Sequence, residues 1–293
     1  MFVKRYIKRF QERMLRKIEW MNRIRNLNDF VLHSSEQGIS ADRYCNNEVI
    51  VSLTTYDKRL HSVYLTIESI MQQTMKPNKI ILWLEDELKK VELPRTLQKQ
   101  MKRGLEVSYY KNIRSYKKLI PTLQKYPNDV IITVDDDLIY EIDVVEKLVR
   151  AYNENPALIY FNRGHRITLK KDGKPNKYKK WNKRIHDLDI SPLNFPTTGG
   201  GTLFPPHCFS DEVFNEDVFM NICGSADDVW FKAMALYNNV LSRKVYTHNF
   251  SGEDYLENMN VQDIALSHYN TAAGGNDVQL LAVFDKYSLY DKL

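Results

Sequence analysis

Between Glu48 and Arg150 the chain alternates short runs dense in Ile and Val with stretches of helical spacing, and this alternation limits the folds open to it more than any other feature. "EVIVSLTTY" predicts a strand, "LHSVYLTIESIMQQT" a helix, "NKIILWLED" and "LEVSYY" two more strands, "SYKKLIPTLQKY" a partly helical segment and "DVIITVDDD" a further strand. Strands that are apolar along their whole length are buried on both faces, which points to a mostly parallel sheet covered by helices. The expected class is α/β, with a nucleotide-binding type of layout over about residues 48–150. With 43% apolar residues in a chain of 293, there is material for a proper core.

After Asn155 and Pro156 the pattern loosens. "ALIYFNRGH" predicts a strand, "KKDGKPNKYKKWNKR" a basic, turn-rich excursion, and "SADDVWFKAMALYNN" a helix, with "FPTTGGGTLFPP" between them. No internal repeat or low-complexity tract breaks this region. Residues 151–250 are expected to complete the domain begun at residue 48, with 251–293 as a C-terminal tail holding a turn, "AGGND", and an apolar helix-like stretch.

The net charge of +5 is unevenly placed, because residues 1–25 hold nine Lys and Arg against two Glu and the remainder is slightly acidic. That segment puts Val3, Ile7, Phe10, Met14, Ile18, Met21 and Ile24 at spacings of three and four, the stripe of an amphipathic helix with a cationic opposite face. A basic amphipathic extension over about residues 1–35 follows, and residues 26–47 lose the periodicity and gather Asn, Ser, Asp and Gly, as a connection does. Such a helix suits an anionic membrane surface. The other readings are a helix docked on the protein's own body or paired with a partner helix; nucleic acid is not favoured. Cys45, Cys208 and Cys223 are odd in number and widely spaced, so neither a disulfide framework nor a zinc cluster is indicated. With no apolar run long enough to span a bilayer and no signal-peptide pattern, the expected location is cytoplasmic, with the inner face of the plasma membrane as the place for a peripheral contact.

"VIITVDDDLIY" raises the sharpest chemical question. Five apolar or β-branched residues, Val130 to Val134, lead into three carboxylates, Asp135, Asp136 and Asp137. Like charges this close destabilise one another unless a cation or a set of donors neutralises them. In open α/β sheets ligands gather at the carboxyl ends of strands, and hard oxygen ligands there suit Mg²⁺ or Mn²⁺. Alternation along an extended chain points Asp135 and Asp137 one way and Asp136 the other, a D-x-D pair. The competing reading is a solvated acidic turn that caps the next helix.

Together "VSLTTYDKR", "SIMQQTMKPNKIILWL", "IRSYKKLIPTL", "VIITVDDDLIY", "TTGGGTLFPP" and "SADDVWFKAMAL" resemble, in order and spacing over most of residues 48–250, the nucleotide-sugar-dependent glycosyltransferases of the GT-A fold, among them bacterial family 2-like enzymes of surface-polysaccharide synthesis. The resemblance implies a Rossmann-like mixed sheet, a nucleotide-binding half at 48–150, an acceptor-binding half at 151–250 and inverting transfer with a divalent ion on the diphosphate. It implies that Thr54, Thr55 and Tyr56 line base and ribose, that Arg59, Lys117 and Lys118 offset the diphosphate, and that Glu85 or Asp86 serves base or ribose. By the same pattern Asp135 and Asp136 lie nearer ribose and donor sugar while Asp137 binds the metal, with Asp135 and the late His248 as further ligand candidates. Tyr56 also reads as an ordinary loop aromatic, and the lysines and Arg59 as solvated surface.

Inverting transfer to a hydroxyl needs one base across the anomeric carbon from the leaving group. The resemblance places it in Asp227 and Asp228, with Asp228 slightly favoured; Ser225 and Asp228 also match a capping box. Gly199, Gly200 and Gly201 permit close approach to a ligand, and by the resemblance they lie beneath donor sugar and acceptor; no lysine follows as in a P-loop. His165, His207 and His268 read as structural. The partners implied are a nucleotide-sugar donor and a saccharide or lipid-linked acceptor. The alternatives are a nucleotidyltransferase, which normally carries a Gly-rich basic loop where "SLTTYDKR" has no glycine, a retaining transferase, or a non-catalytic membrane-associated scaffold.

Overall fold

The computed structural model describes residues 2–248, 254–258 and 275–293. The N-terminal helix α1 runs Phe2–His33, followed by β1 (Val49–Thr54), α2 (Val63–Met71), β2 (Lys79–Glu85), α3 (Arg95–Met101), β3 (Leu105–Tyr110), α4 (Ile120–Lys125), β4 (Val130–Val134), β5 (Leu138–Tyr140) and α5 (Val144–Glu154). The second half contributes β6 (Ile159–Phe161), β7 (Gly164–Arg166), β8 (Asn194–Pro196), β9 (Gly200–Phe204), α6 (Glu216–Ile222), α7 (Asp227–Tyr237), β10 (Ser242–Lys244), β11 (Tyr255–Glu257) and α8 (Gly275–Tyr287).

Among the described residues the central sheet has seven strands in the order β10-β6-β9-β4-β1-β2-β3. Every neighbouring pair is parallel except the two made by β9, which runs antiparallel to both β4 and β6. This is the mixed, mostly parallel sheet flanked by helices that the alternation predicts. β1 and β4 are buried along nearly their whole length because both faces are covered: Val49, Val51 and Val130 pack on one side with α2 and α5, and Ile131 on the other with α7. Two small antiparallel pairs, β5 with β11 and β7 with β8, are set apart from the central sheet.

α1 continues through residues expected to be a connection, ending at His33. The reason lies in packing: Leu27 and Val31 extend the apolar spacing and are buried, Leu27 against Leu65 of α2 and Ile139 of β5. Residues 34–47 then lie on the body, where Arg103 Nε donates to Glu36 O at 2.6 Å and Gly38 N donates to Arg103 O at 2.8 Å. Arg103 also makes a bidentate pair with the fully buried Glu68 of α2, at 2.8 and 3.0 Å, which satisfies a charge that burial alone would make costly. The helix-like stretch of the tail is α8; residues 267–274, including His268 and the start of the "AGGND" turn, lie outside the described residues.

Candidate active site

The carboxyl ends of β1, β2 and β4 open into one cleft of about 480 Å³, the size of an ordinary small-ligand site. The acids of "VDDD" stand on its floor. Asp136 turns inward and is 4% exposed; Thr55 Oγ1 donates to it at 2.6 Å and Arg59 Nη1 at 2.7 Å. Burial raises its pKa, and Arg59 and Thr55 offset part of that rise. Asp135 and Asp137 also line the cleft, with Asp135 the more open; β4 ends at Val134 and residues 136 and 137 form a turn, so the backbone turn rather than strand alternation orients them.

The protein supplies part of the neutralising charge itself. Arg59, in the short helical turn after β1, is buried and reaches Asp137 at 3.1 Å as well as Asp136. Lys118 is 4% exposed at its side chain and lies between Asp135, at 2.8 Å, and Asp227, at 3.0 Å. Burial opposes its charge, yet Asp135, Asp227 and Asp228 outweigh burial and hold its pKa above the ordinary lysine value. Lys117 is also buried and pairs with Glu85 at 2.9 Å. The competing reading of a solvated lysine surface therefore does not hold for either residue, because both lie buried in the turn Arg114–Lys118 against acids that line the cleft.

Thr54, Thr55, Tyr56, Arg59 and Glu85 all line the cleft, with the Arg59 guanidinium 5.5 Å from the Tyr56 ring centre. Asp86 does not; it pairs with Lys89 at the surface. Gly199 and Gly200 line the cleft, and Gly199 has a steric reason to be glycine: a Cβ there would stand 1.7 Å from Asp135 Oδ2. Gly201 departs from its expected role, since it sits in β9 at φ +92° over Val144 and away from the cleft. The buried Tyr140 hydroxyl donates to Gly199 O and accepts from Asp135 N at 2.9 Å, locking the glycine turn to the acidic one.

Across the cleft, the first turn of α7 presents Asp227 and Asp228, where the helix N-terminus favours negative charge. The predicted capping box does not form. Ala226 occupies the cap position, Ser225 bonds Gln279 of α8, and Asp228 accepts instead from Thr198 N at 2.8 Å and Thr198 Oγ1 at 2.5 Å. Burial, followed by the neighbouring Asp227 charge, raises the Asp228 pKa to about 6, although the carboxyl keeps a partial opening to the cleft. That value suits a base working near neutrality.

His248 is not brought to these acids. Its Nε2 lies 2.7 Å from Asp143 Oδ2 and its backbone N donates to Asp254 at 3.0 Å, while Lys147 pairs with both of those aspartates. A lysine already supplies the positive charge in that group. His165 is buried with its pKa driven down to about 2 by burial, and its Nδ1 accepts from Arg184 N at 3.0 Å, a structural role.

Among the cleft residues that escaped the sequence reading are Arg114, Arg163, Tyr178, Tyr255 and Glu257, which carry charge or an aromatic ring. Arg114 had a signal, since it begins the "RSYKKL" segment; the others come from separate loops and carry none. Seven carboxylates and five cationic side chains line the cleft. Asp135 and Asp137 are the residues of this group that could hold a hard divalent cation, in competition with Lys118 and Arg59, which already reach them; Asp136 is buried against Thr55 and Arg59.

No protein-family model matches the chain, and no curated protein matches it in sequence. Among solved structures, the chain is similar to S. aureus TarS residues 1–349, with 14% identity over 82% of this chain and 72% of that one and a TM-score of 0.48. It is also similar to CMP:2-keto-3-deoxy-manno-octonic acid synthetase complexed with CTP, with 10% identity over 68% of this chain and 89% of that one and a TM-score of 0.38.

Proposed function

We propose that the protein is a metal-dependent, inverting glycosyltransferase that moves a sugar from a nucleotide-sugar donor to a hydroxyl of a saccharide acceptor, in the manner of surface-polysaccharide synthesis. One observation supports the reading: Asp135 and Asp137 share one cleft with Asp228, whose carboxyl is held by Thr198 and has its pKa raised to about 6.

Thr54 and Tyr56 would flank the nucleoside, and Arg59 and Lys117 would balance its diphosphate. A divalent ion held by Asp135 and Asp137 would supply Lewis-acid stabilisation of the leaving diphosphate. Asp228 takes the proton from the acceptor hydroxyl as its oxygen bonds to the anomeric carbon. The bond from that carbon to the diphosphate oxygen breaks, and the nucleoside diphosphate leaves with the electron pair. Thr198 holds Asp228 in place through two hydrogen bonds. Lys118 pairs with Asp227 beside it.

The same carboxylate argues against the nearest rivals. A nucleotidyltransferase that joins its nucleotide to a sugar phosphate attacks with an oxygen already ionised at neutral pH and needs no base of this kind. A retaining transferase also has no need of a base opposite the leaving group. Among the described residues no helix is long and apolar enough to cross a membrane.

The test is a thermal-shift panel of nucleoside diphosphates and nucleotide sugars, each with Mn²⁺ and with EDTA. A rise in melting temperature for one nucleotide that requires Mn²⁺ supports the reading and identifies the base. No rise with any of them overturns it.

A further inference from the structure

α1 carries a wider apolar arc than the body covers. In its second half Trp20, Ile24 and Leu27 pack with Leu65 of α2, Ile139 of β5 and Leu256 of β11. Met14, Ile18 and Met21, at spacings of four and three, form an adjoining strip that remains 46–49% exposed, and Leu15 beside it is 66% exposed. Solvated apolar side chains in one helical strip are a docking surface in search of an occupant. Charge selects that occupant: residues 1–25 hold nine Lys and Arg against two Glu, so a second copy of the chain would bring like charge to like charge, whereas an anionic lipid surface would bring its complement.

We propose that this strip of α1 docks the protein on an anionic lipid bilayer, with the helix lying in the headgroup plane. Its position in the fold gives the contact a purpose. β5 and β11 pair antiparallel and present Ile139 and Leu256 to α1, while Leu138, Tyr255 and Glu257, which alternate with them, line the cleft. One layer of two-stranded sheet thus separates the membrane helix from the wall of the site. Resting on the function proposed above, this arrangement suits an acceptor carried on a lipid; the docking itself does not depend on that function.

The experiment is flotation of the full chain with vesicles of phosphatidylcholine alone and of phosphatidylcholine mixed with phosphatidylglycerol, at low and high salt, beside light-scattering measurement of oligomeric state. Binding is expected to the anionic vesicles only, to weaken as salt screens it, and to fall at least about tenfold in a variant carrying Ile18→Glu and Met21→Glu. The variant should melt with wild type, since both positions are solvated, and should keep the same nucleotide-dependent thermal shift, which separates a failure of docking from a failure of the cleft reading. Equal binding to neutral vesicles, no binding to anionic ones, or a dimer in solution that the same substitutions dissociate overturns the proposal.

Discussion

The ammonium of Lys118 lies 3.0 Å from Asp227 Oδ2, which fastens the turn before α4 to the first turn of α7 and so joins the two walls of the cleft. Replacing Lys118 with Met leaves Asp135 and Asp227 facing each other without a shared cation. A loss of about 2–4 kcal/mol in denaturant unfolding is expected, less than for a fully enclosed pair because Asp135 stays open to solvent. Lys118 also holds the Asp228 pKa down, so the pH–rate profile of the variant should move roughly one unit to the alkaline side. An unmoved profile would separate Lys118 from the base.

Asp228 itself links activity and stability with opposite signs. Its folded pKa of about 6 lies above the ordinary aspartate value, so the folded state holds a proton that the unfolded chain releases. The stability associated with that proton is complete below about pH 4 and is lost as pH rises through about 6. Asp228→Asn keeps an acceptor for Thr198 and removes the buried charge. The variant should therefore be more stable than wild type by about 2 kcal/mol at pH 8 and by about half as much at pH 5, while turnover disappears. Wild-type turnover should climb with pH through about 6 as the base ionises. A variant less stable than wild type at pH 8 contradicts this account.

Arg59 neutralises both Asp136 and Asp137, which makes it a competitor of any cation for Asp137. Arg59→Met is expected to cost about 3–5 kcal/mol, because Asp136 is left buried with only the Thr55 hydroxyl. In compensation Mn²⁺ should bind the variant without nucleotide more tightly than it binds wild type, by about tenfold, as followed by the Mn²⁺ paramagnetic resonance signal. Equal Mn²⁺ affinity in the two proteins would remove Arg59 from the metal's surroundings.

Gly199→Ala forces a methyl group into the place of the Asp135 carboxylate. The side chain must swing off the glycine turn and away from Lys118, with an expected loss of about 1–3 kcal/mol in stability. Nucleotide affinity by calorimetry should fall about tenfold or more. Retained affinity would show that Asp135 is not needed in its present orientation.

Much of this site is legible in the chain where local pattern and local structure coincide. The runs of Val, Ile and Leu in β1 and β4, broken only by Ser and Thr, declare buried strands, and three acids after β4 mark the cleft because strand ends are where an open sheet exposes its backbone and side chains together. The lysines were harder to place. Lys117 and Lys118 are adjacent cations in a turn, and only the acids arriving from residues 85, 135 and 227 make their burial tolerable. β9 was hidden for another reason: Gly200 and Gly201 have poor strand propensity, and pairing on both edges with β4 and β6 overrides it. Ser225 and Asp228 matched a cap by spacing, yet Thr198, contributed by the turn before β9, claimed the carboxylate.

The reversed direction of β9 bears on how the chain matures. β1 to β4 are synthesised together, but the slot between β4 and β6 is filled only when residues 200–204 arrive, and the cleft gains its second wall only with α7. A ribosome-bound fragment ending before residue 227 would carry Lys118 and the triple aspartate with their counterpart still untranslated. Nascent chains of that length would hold the acids that follow β4 without Asp227 and Asp228, so the cleft is completed only after α7 has been made.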